Sequence, residues 1–591
     1  NGIFDRAEEH LQAAMKRITR NHTKPRDGEA YYYLGLCQKY QGNHEEAYKN
    51  LYQATWSQAF HSAAYYQLAE LACMKKDYDE ALQHLERSLS TNAHHTRAGN
   101  LRSAILRNMG EHEQAFSLAG AVRDFDPLDF WSLCEQHFAL QDAGREDEAR
   151  KALRTLIEGM HGYDQSYLEL SMDYAGAGLW DEAISVLTDV YLEGDDSRNT
   201  NPMVYYFLGH FRLQKGEEQK ALAYFKRASE QSPDYCFPFR LESIGILEEA
   251  ARMNPGDARA PLYLGNLLFD LQPERALRAW ERSVALDDSF WLTHRNLGMA
   301  YDRVEHNPAL AVDHYLKAIR LKPDDQRLLY ELDLIYAAAR EDPETRLNML
   351  RQHHNVIADN NVSDALAREV MLLVQLGTYE EALKVLEANK FKQWEGVSKA
   401  YNSYVDAHLF MGWRLLQEGN HGEALKHMQA AGEFPPNMMV AKPYRGGRSA
   451  EVLYFTGTVY EAMGSKKKAR ECYQACVSER QNLTLDENHY YRAMGLGKLG
   501  KHEEAMEIFN GLVSLGEQRL ESTAADFFAK FGERETADDK LSNACYLIGL
   551  GCMGKQDHEK AAEMFAEAVR LNINHVWAAK YLDQIQNLTD K

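Results

Sequence analysis

The chain has 591 residues, of which 45% are hydrophobic and 26% are charged, and its formal net charge at pH 7 is −21. These proportions are typical of a protein that buries a core, and the negative charge disfavours nucleic acid and anionic membrane as partners because like charges repel. No stretch approaches the 18 uninterrupted apolar residues of a membrane-spanning helix, so we expect no membrane partner.

The chain begins with the pattern of half a helical unit. The segment "NGIFDRAEEHLQAAM" places a turn glycine, Gly2, before a helix that carries Ala7. In the units that follow, such a helix is the second of a pair. Because an array that starts inside a unit would expose an apolar stripe, we expect further residues to precede Asn1.

An alanine then recurs with a period of 34 residues. The first five copies are Ala47, Ala81, Ala115, Ala149 and Ala183. The later copies are Ala221, Ala276, Ala311, Ala382, Ala424, Ala469, Ala505 and Ala561. A fixed period in this range is the signature of a repeat array.

One repeat shows the local physics. In Tyr31–Ala54, Leu34 and Gly35 lie on one helical face, and Gly42 breaks the helix because glycine is a poor helix former. A second helix then carries Ala47. Gly35 and Ala47 are small, which predicts that the two helices cross closely at this point.

The pattern resembles the tetratricopeptide repeat family over nearly the whole chain. The small residue of the first helix stands at Gly35, Ala69, Gly209, Gly265, Gly298, Gly412, Gly457 and Gly549. The turn glycine stands at Gly42, Gly110, Gly144, Gly178, Gly377, Gly419, Gly464 and Gly500. The resemblance implies an all-α fold, a right-handed α-solenoid superhelix of about thirteen helix pairs with one irregular insertion and a C-terminal capping helix.

The array is not uniform along the chain, and we predict five segments. These are an N-terminal array, 1–231; a degenerate unit or seam with a single good helix, 232–257; a central array, 258–432; an irregular insertion, 433–450; and a C-terminal array with a capping helix at Asn574–Leu588, 451–591.

The resemblance also implies a partner-binding groove, because the first helices of such repeats line an inner surface. The corresponding positions are Tyr32, Tyr33, Tyr66, Gln67, Asn100, Arg107, Trp131, Tyr206, Tyr263, Asn266, Arg295, Asn296 and Arg303. Side chains of these types suit recognition, since they combine contact area with directional hydrogen bonds. The alternative is that the aromatic residues fill the inner face between neighbouring helices.

The insertion "EFPPNMMVAKPYRGGRSAE" is the strongest local anomaly. Its prolines exclude a helix, and Lys442, Arg445 and Arg448 concentrate positive charge in an acidic chain. Together with Tyr444, these residues form a candidate contact for an anion, a peptide or a neighbouring domain. The alternative is a surface loop that packs through Phe434, Met438, Met439 and Tyr444.

No constellation of residues in the sequence argues for catalysis. The literal GxGxxG at Gly495–Gly500 lies in a helical pattern and ends on a turn glycine, whereas a dinucleotide site needs a preceding strand. Neither HExxH nor Cys-x-x-Cys occurs, so we expect no metal and no cofactor. The eight dispersed cysteines fit a reduced, cytoplasmic setting.

We therefore expect a non-catalytic, cytoplasmic interaction scaffold. Its partner would be a protein or peptide, or a domain upstream of Asn1 in the same protein. The alternative is the C-terminal arm of a larger bacterial protein that acts on or binds carbohydrate. In that case the chain resembles large bacterial proteins of unassigned function, in which a β-rich, mutarotase-like domain precedes the repeats.

Overall fold

The structure is a computed structural model that describes residues 2–21, 27–195, 198–358, 364–391, 399–521 and 536–589. Within these residues the fold is all-helical, with thirty-two α-helices and no strand. None of the helices in these ranges has the length and apolar character to cross a bilayer. The chain divides into two compact units, which we call unit 1 (Asn1–Ala300) and unit 2 (Tyr301–Lys591).

Unit 1 contains the helices up to α17, within which the division falls. They are α1 (Phe4–Ile18), α2 (Glu29–Tyr40), α3 (His44–Ala54), α4 (His61–Met74), α5 (Tyr78–Thr91), α6 (Thr96–Asn108), α7 (His112–Phe125), α8 (Phe130–Asp142), α9 (Glu146–Met160), α10 (Asp164–Ala175), α11 (Trp180–Ser185), α12 (Pro202–Gln214), α13 (Glu218–Glu230), α14 (Glu242–Met253), α15 (Arg259–Leu268), α16 (Pro273–Leu286) and α17 (Trp291–Arg303). A π-helical segment, Val186–Tyr191, continues α11.

Unit 2 contains the remaining helices. They are α18 (Pro308–Leu321), α19 (Gln326–Ala338), α20 (Pro343–Gln352), α21 (His354–Ala358), α22 (Asp364–Gln375), α23 (Tyr379–Ala388), α24 (Lys399–Gln417), α25 (His421–Ala430), α26 (Ser449–Ala462), α27 (Lys466–Ser478), α28 (Asn488–Lys498), α29 (His502–Glu521), α30 (Ala537–Gly554), α31 (His558–Leu571) and α32 (Val576–Thr589). A short 3-10 turn, Pro436–Met438, lies between α25 and α26.

Within each unit, helices pack in chain order. Most helices contact the next one, and first helices of successive pairs also contact each other, as α6 does α8 and α26 does α28. This arrangement is that of an α-solenoid, as the sequence predicts. The recurring alanines form its continuous core, because all thirteen have a relative exposure of 4% or less.

The predicted close crossings are present. A methyl group built on Gly265 would lie 2.4 Å from Nε1 of Trp280, and one on Gly209 would lie 2.5 Å from the ring of Phe225. A methyl group on Gly35 would lie 2.6 Å from Leu51. The glycine of the first helix therefore leaves room for the large side chain that the second helix presents to it.

Two irregular segments interrupt the succession of helices. Between α13 and α14 the chain runs without regular structure, and α14 is the single helix of the predicted degenerate unit. A second irregular segment separates α25 from α26. The boundary between the two compact units lies at Ala300, inside the predicted central array 258–432 and outside the predicted seam 232–257.

Candidate functional site

In unit 1, polar side chains of the inner face bind one another. The guanidinium of Arg107 in α6 is 8% exposed and donates to Glu135 at 3.1 Å, to Asp142 at 3.1 Å and to Glu182 at 2.9 Å. Tyr174 in α10 also donates to Glu135, at 2.7 Å. Burial raises the pKa of the Glu135 carboxyl, and Arg107 partly offsets that effect. These charges satisfy each other inside the fold.

The first helices of unit 1 also meet across its inner face. A methyl group built on Gly178, just after α10, would lie 3.0 Å from the Cα of Met74 at the end of α4. Arg97 at the start of α6 forms an ion pair with Asp173 of α10. The chain itself therefore occupies part of this surface.

The predicted groove residues separate by exposure. Two are exposed, four are half-buried and seven are buried. Exposed are Tyr33 and Arg303; half-buried are Tyr32, Gln67, Asn266 and Arg295; buried are Tyr66, Asn100, Arg107, Trp131, Tyr206, Tyr263 and Asn296.

Several of these residues already have partners in unit 1. Tyr206 donates to Asp257 at 2.8 Å, Asn100 donates to Asp129 at 2.8 Å, and Asn296 donates to Asn266 at 2.8 Å. The buried members present little surface to a partner. Recognition by the exposed and half-buried members stays a prediction.

Unit 2 has a different inner face, formed by α24, α26, α28 and α30, the first helices of four successive pairs. The last helix, α32, lies on this face as well as on α31. The indole ring of Trp577 packs 4.6 Å from Phe410, 6.0 Å from Phe455 and 6.3 Å from Tyr491, measured between ring centroids. Its Nε1 donates to Oδ1 of Asp406 at 2.7 Å.

One helical turn further along α32, Tyr581 continues the contact. Its hydroxyl lies 2.8 Å from that of Tyr491, and its ring is 6.2 Å from Trp413 and 5.6 Å from Phe565. Trp577, Tyr581 and Ile585 are spaced by four residues and so share one face of α32. Tyr581 and Ile585 are both buried. The predicted capping helix is thus also a helix bound to the inner face.

The segment that leads into α32 is held by polar contacts. Arg346 is fully buried, donates to Oδ1 of Asn574 at 2.9 Å, and forms a two-pronged pair with Asp333 at 2.9 and 3.1 Å. Gln375 donates to the carbonyl oxygen of Ile573 at 2.7 Å. These contacts fix the direction in which the chain enters the inner face.

The predicted insertion contributes one residue to this site. Arg448 pairs with Asp406 at 2.6 Å and with Glu451 at 2.6 Å, and its guanidinium lies 5.8 Å from the centre of the Trp577 ring. Burial alone would lower the pKa of Arg448, but the two carboxylates raise it well above its ordinary value. Arg448 therefore stays charged while it holds Asp406 towards Trp577.

The rest of the insertion packs or is exposed. Asn437 donates to the carbonyl oxygens of Leu386 and Asn389 at 2.7 and 2.8 Å, and Met438 is buried. Lys442 pairs with Glu479 at 3.3 Å. Tyr444 and Arg445 are exposed, and the Tyr444 ring lies 4.7 Å from the guanidinium of Arg480.

The inner-face residues of unit 2 were not among the predicted site residues. The sequence signal for this site is the apolar stripe of Trp577, Tyr581 and Ile585. A terminal helix that only caps an array needs a polar outer face, so such a stripe indicates a further contact. Its target could not be found from spacing, since Asp406 and Trp577 are 171 positions apart.

The chain matches a family model described as tetratricopeptide repeat at residues 204–235 and 450–483, and a second model with the same description at residues 29–57. The three matched segments are thus tetratricopeptide repeats, and the packing of the helices is that of an α-solenoid.

A curated relative is the DnaJ homolog subfamily C member 3 of Gallus gallus. It is 27% identical over 188 residues, which are 32% of this chain and 33% of that protein. The match thus spans about a third of the relative's length.

Solved structures also resemble the chain. YrrB, described as a TPR protein with an unusual peptide-binding site, is 23% identical, with 33% of this chain and 94% of that chain covered and a TM-score of 0.25. Yeast Tom70 is 15% identical, with 90% and 97% covered and a TM-score of 0.27. These TM-scores are too low to carry any functional inference.

Proposed function

We propose that this chain is a non-catalytic interaction scaffold that binds an amphipathic helix of a protein partner on the inner face of unit 2. The observation that carries the proposal is the seating of α32 on that face, through Trp577 between Phe410, Phe455 and Tyr491. A surface that accommodates one such helix has the chemistry to accommodate another of the same pattern.

The composition of the site supports a recognition role. Tryptophan, tyrosine and arginine dominate the residues whose loss weakens protein interfaces most, and the surface under α32 presents Trp413, Tyr491 and Arg448. A partner helix would need an aromatic residue with a ring N–H or O–H donor directed at Asp406, and a second apolar residue four positions later. We also propose a cytoplasmic location, which eight cysteines without a disulfide support.

The proposal can be tested with α32 as its own probe. A fluorescent peptide of residues 572–591 is titrated into the full-length chain and into the full-length variant Trp577→Ala/Tyr581→Ala. We expect saturable binding that is tighter for the variant, because the native helix competes at the high effective concentration of a tethered ligand.

The matched control is the same peptide with Trp577→Ala, which should not bind the variant. If the variant keeps its helical circular dichroism and still does not bind the native peptide, the inner face is not a helix-binding surface. A natural partner, whether a separate protein or a domain of the same protein, must displace the labelled peptide. A protein that binds elsewhere on the chain would leave it bound.

A further inference from the structure

A cavity of about 700 Å³ remains in unit 2 between the inner face and the C-terminal half of α32. Its apolar wall includes Trp413, Tyr490, Met494, Met506 and Tyr581, and it reaches the turns that follow α28 and α30. Methionine and aromatic side chains adapt to apolar ligands of varied shape. The volume lies within the range of small-molecule sites, about 300–1,000 Å³.

The charged side chains that line the cavity are the two lysines Lys498 and Lys555. Among the described residues that line it are Lys498, His502, Lys555 and His558, and no aspartate or glutamate. The chain as a whole has 88 acidic and 67 basic residues. An acidic chain that excludes carboxylates from one cavity provides a positive local potential for an anion.

The basic groups and the aromatic residues occupy different parts of the cavity. Lys498 ends α28 and His502 begins α29, so they flank one turn; Lys555 follows α30 and His558 begins α31, so they lie at the neighbouring turn. The aromatic residues of the wall lie instead on the bodies of the helices. Lys498 is paired with Glu461, which lies outside the lining, at 2.7 Å, so Lys555 is the stronger candidate contact for a ligand anion.

From the lysines at the two turns and the apolar wall, we infer that this cavity binds a small amphiphile with a single anionic group, such as an alkyl carboxylate. The anion lies at the two turns near Lys555 and Lys498, and the alkyl part lies against Trp413, Tyr490 and Met494. The cavity adjoins the helix-binding surface and shares Trp413, Phe455 and Tyr581 with it, but its lining includes neither Trp577 nor Asp406.

The test is isothermal titration calorimetry of the full-length chain with sodium decanoate, below its critical micelle concentration. We expect one site per chain. Nonyltrimethylammonium, which has the same alkyl chain and the opposite charge, should bind at least tenfold more weakly. Equal binding of the two amphiphiles, or no binding of decanoate, would overturn the inference.

Two variants locate the site. Lys555→Glu should weaken decanoate binding about tenfold, whereas Lys466→Glu, an exposed lysine at the start of α27 outside the cavity, should leave it unchanged. Met506→Trp should fill the mouth of the cavity and abolish binding. Met506 is 42% exposed, so the larger side chain does not disturb a closed core. Unchanged binding by both Lys555→Glu and Met506→Trp, with native circular dichroism, would place decanoate elsewhere and overturn the inference.

Discussion

Trp577 and Asp406 are joined by a hydrogen bond of 2.7 Å between the indole Nε1 and the carboxylate, although 171 positions separate them in the sequence. The same carboxylate oxygen is paired with Arg448 at 2.6 Å. A buried carboxylate is costly unless it is neutralised and hydrogen-bonded. Asp406 meets both conditions through one residue of α32 and one residue of the insertion.

Trp577→Ala should therefore destabilise unit 2. We expect a loss of about 2–4 kcal/mol in the free energy of unfolding, slightly below the range for a fully buried tryptophan because the indole is half-buried. Urea denaturation followed by circular dichroism measures the loss. The control is Trp56→Ala, where the side chain is 53% exposed and the change should stay within about 0.5 kcal/mol. Equal losses for the two variants would contradict the placement of α32.

Gly265→Ala should be destabilising by about 1–3 kcal/mol, because the new methyl group would lie 2.4 Å from Nε1 of Trp280. That nitrogen donates to the carbonyl oxygen of Leu262 and to Asn266, so the indole cannot move without losing a hydrogen bond. Gly245→Ala is the matched control, since it lies inside α14 with no atom within 4 Å of the new methyl group. It should stabilise the chain by up to about 1 kcal/mol. Thermal melts of the two variants should shift in opposite directions.

Asp333→Asn should cost about 3–5 kcal/mol, because it leaves the buried guanidinium of Arg346 without a counter-charge. Arg368 loses the same partner, which it contacts at 2.5 Å. The control is Asp147→Asn, which breaks an exposed pair with Arg150 and should cost less than about 1 kcal/mol. Limited proteolysis should also cleave the segment before α32 more readily in Asp333→Asn than in the native chain, because Arg346 holds Asn574 in that segment. An unchanged urea midpoint for Asp333→Asn would contradict this assignment.

Acid should destabilise unit 2 through a histidine pair. The Nδ1 atoms of His408 and His427 are 2.9 Å apart, and burial, followed by the charge of His427, lowers the pKa of His408 to about 4. An unfolded histidine has a pKa of about 6.5. Between these two pH values the unfolded chain binds a proton at His408 that the folded chain does not. His408 therefore lowers the free energy of unfolding by up to about 1.4 kcal/mol per pH unit as the pH falls from 6.5 to 4. The urea midpoint of His408→Gln should therefore fall less steeply over this interval than that of the native chain. Parallel slopes would show that His408 does not contribute.

The repeat itself was predictable because it depends on local rules. An alanine that every unit needs at the same crossing recurs with the same period, so Ala47 and Ala561 are both fully buried. The turn glycines follow the same logic, since Gly42 and Gly500 adopt φ values of 78° and 82°. Where glycine is missing, Lys76 and Gln556 adopt φ values of 62° and 65° at the corresponding turns.

The site was less predictable because it depends on distances that the period does not encode. Residues such as Tyr206 and Tyr263 stand at positions that line a groove in the family, yet their exposures are 0% and 1%. The reason is that these side chains pack against each other, with ring centroids 6.1 Å apart, and Tyr206 donates to Asp257. Which helix then covers the inner face of unit 2 depends on how the array curves, and no single repeat specifies that curvature.

Helix α32 lies C-terminal to every helix that it contacts. It is therefore synthesised after the surface on which it packs. Chains fold from the N-terminus as they leave the ribosome. The aromatic residues under α32 therefore emerge before Trp577 is translated; they include Trp413, Phe455 and Tyr491. Until α32 has emerged, their rings lack its aromatic side chains as neighbours. The nascent chain exposes this aromatic surface during that interval, and α32 covers it once it has emerged.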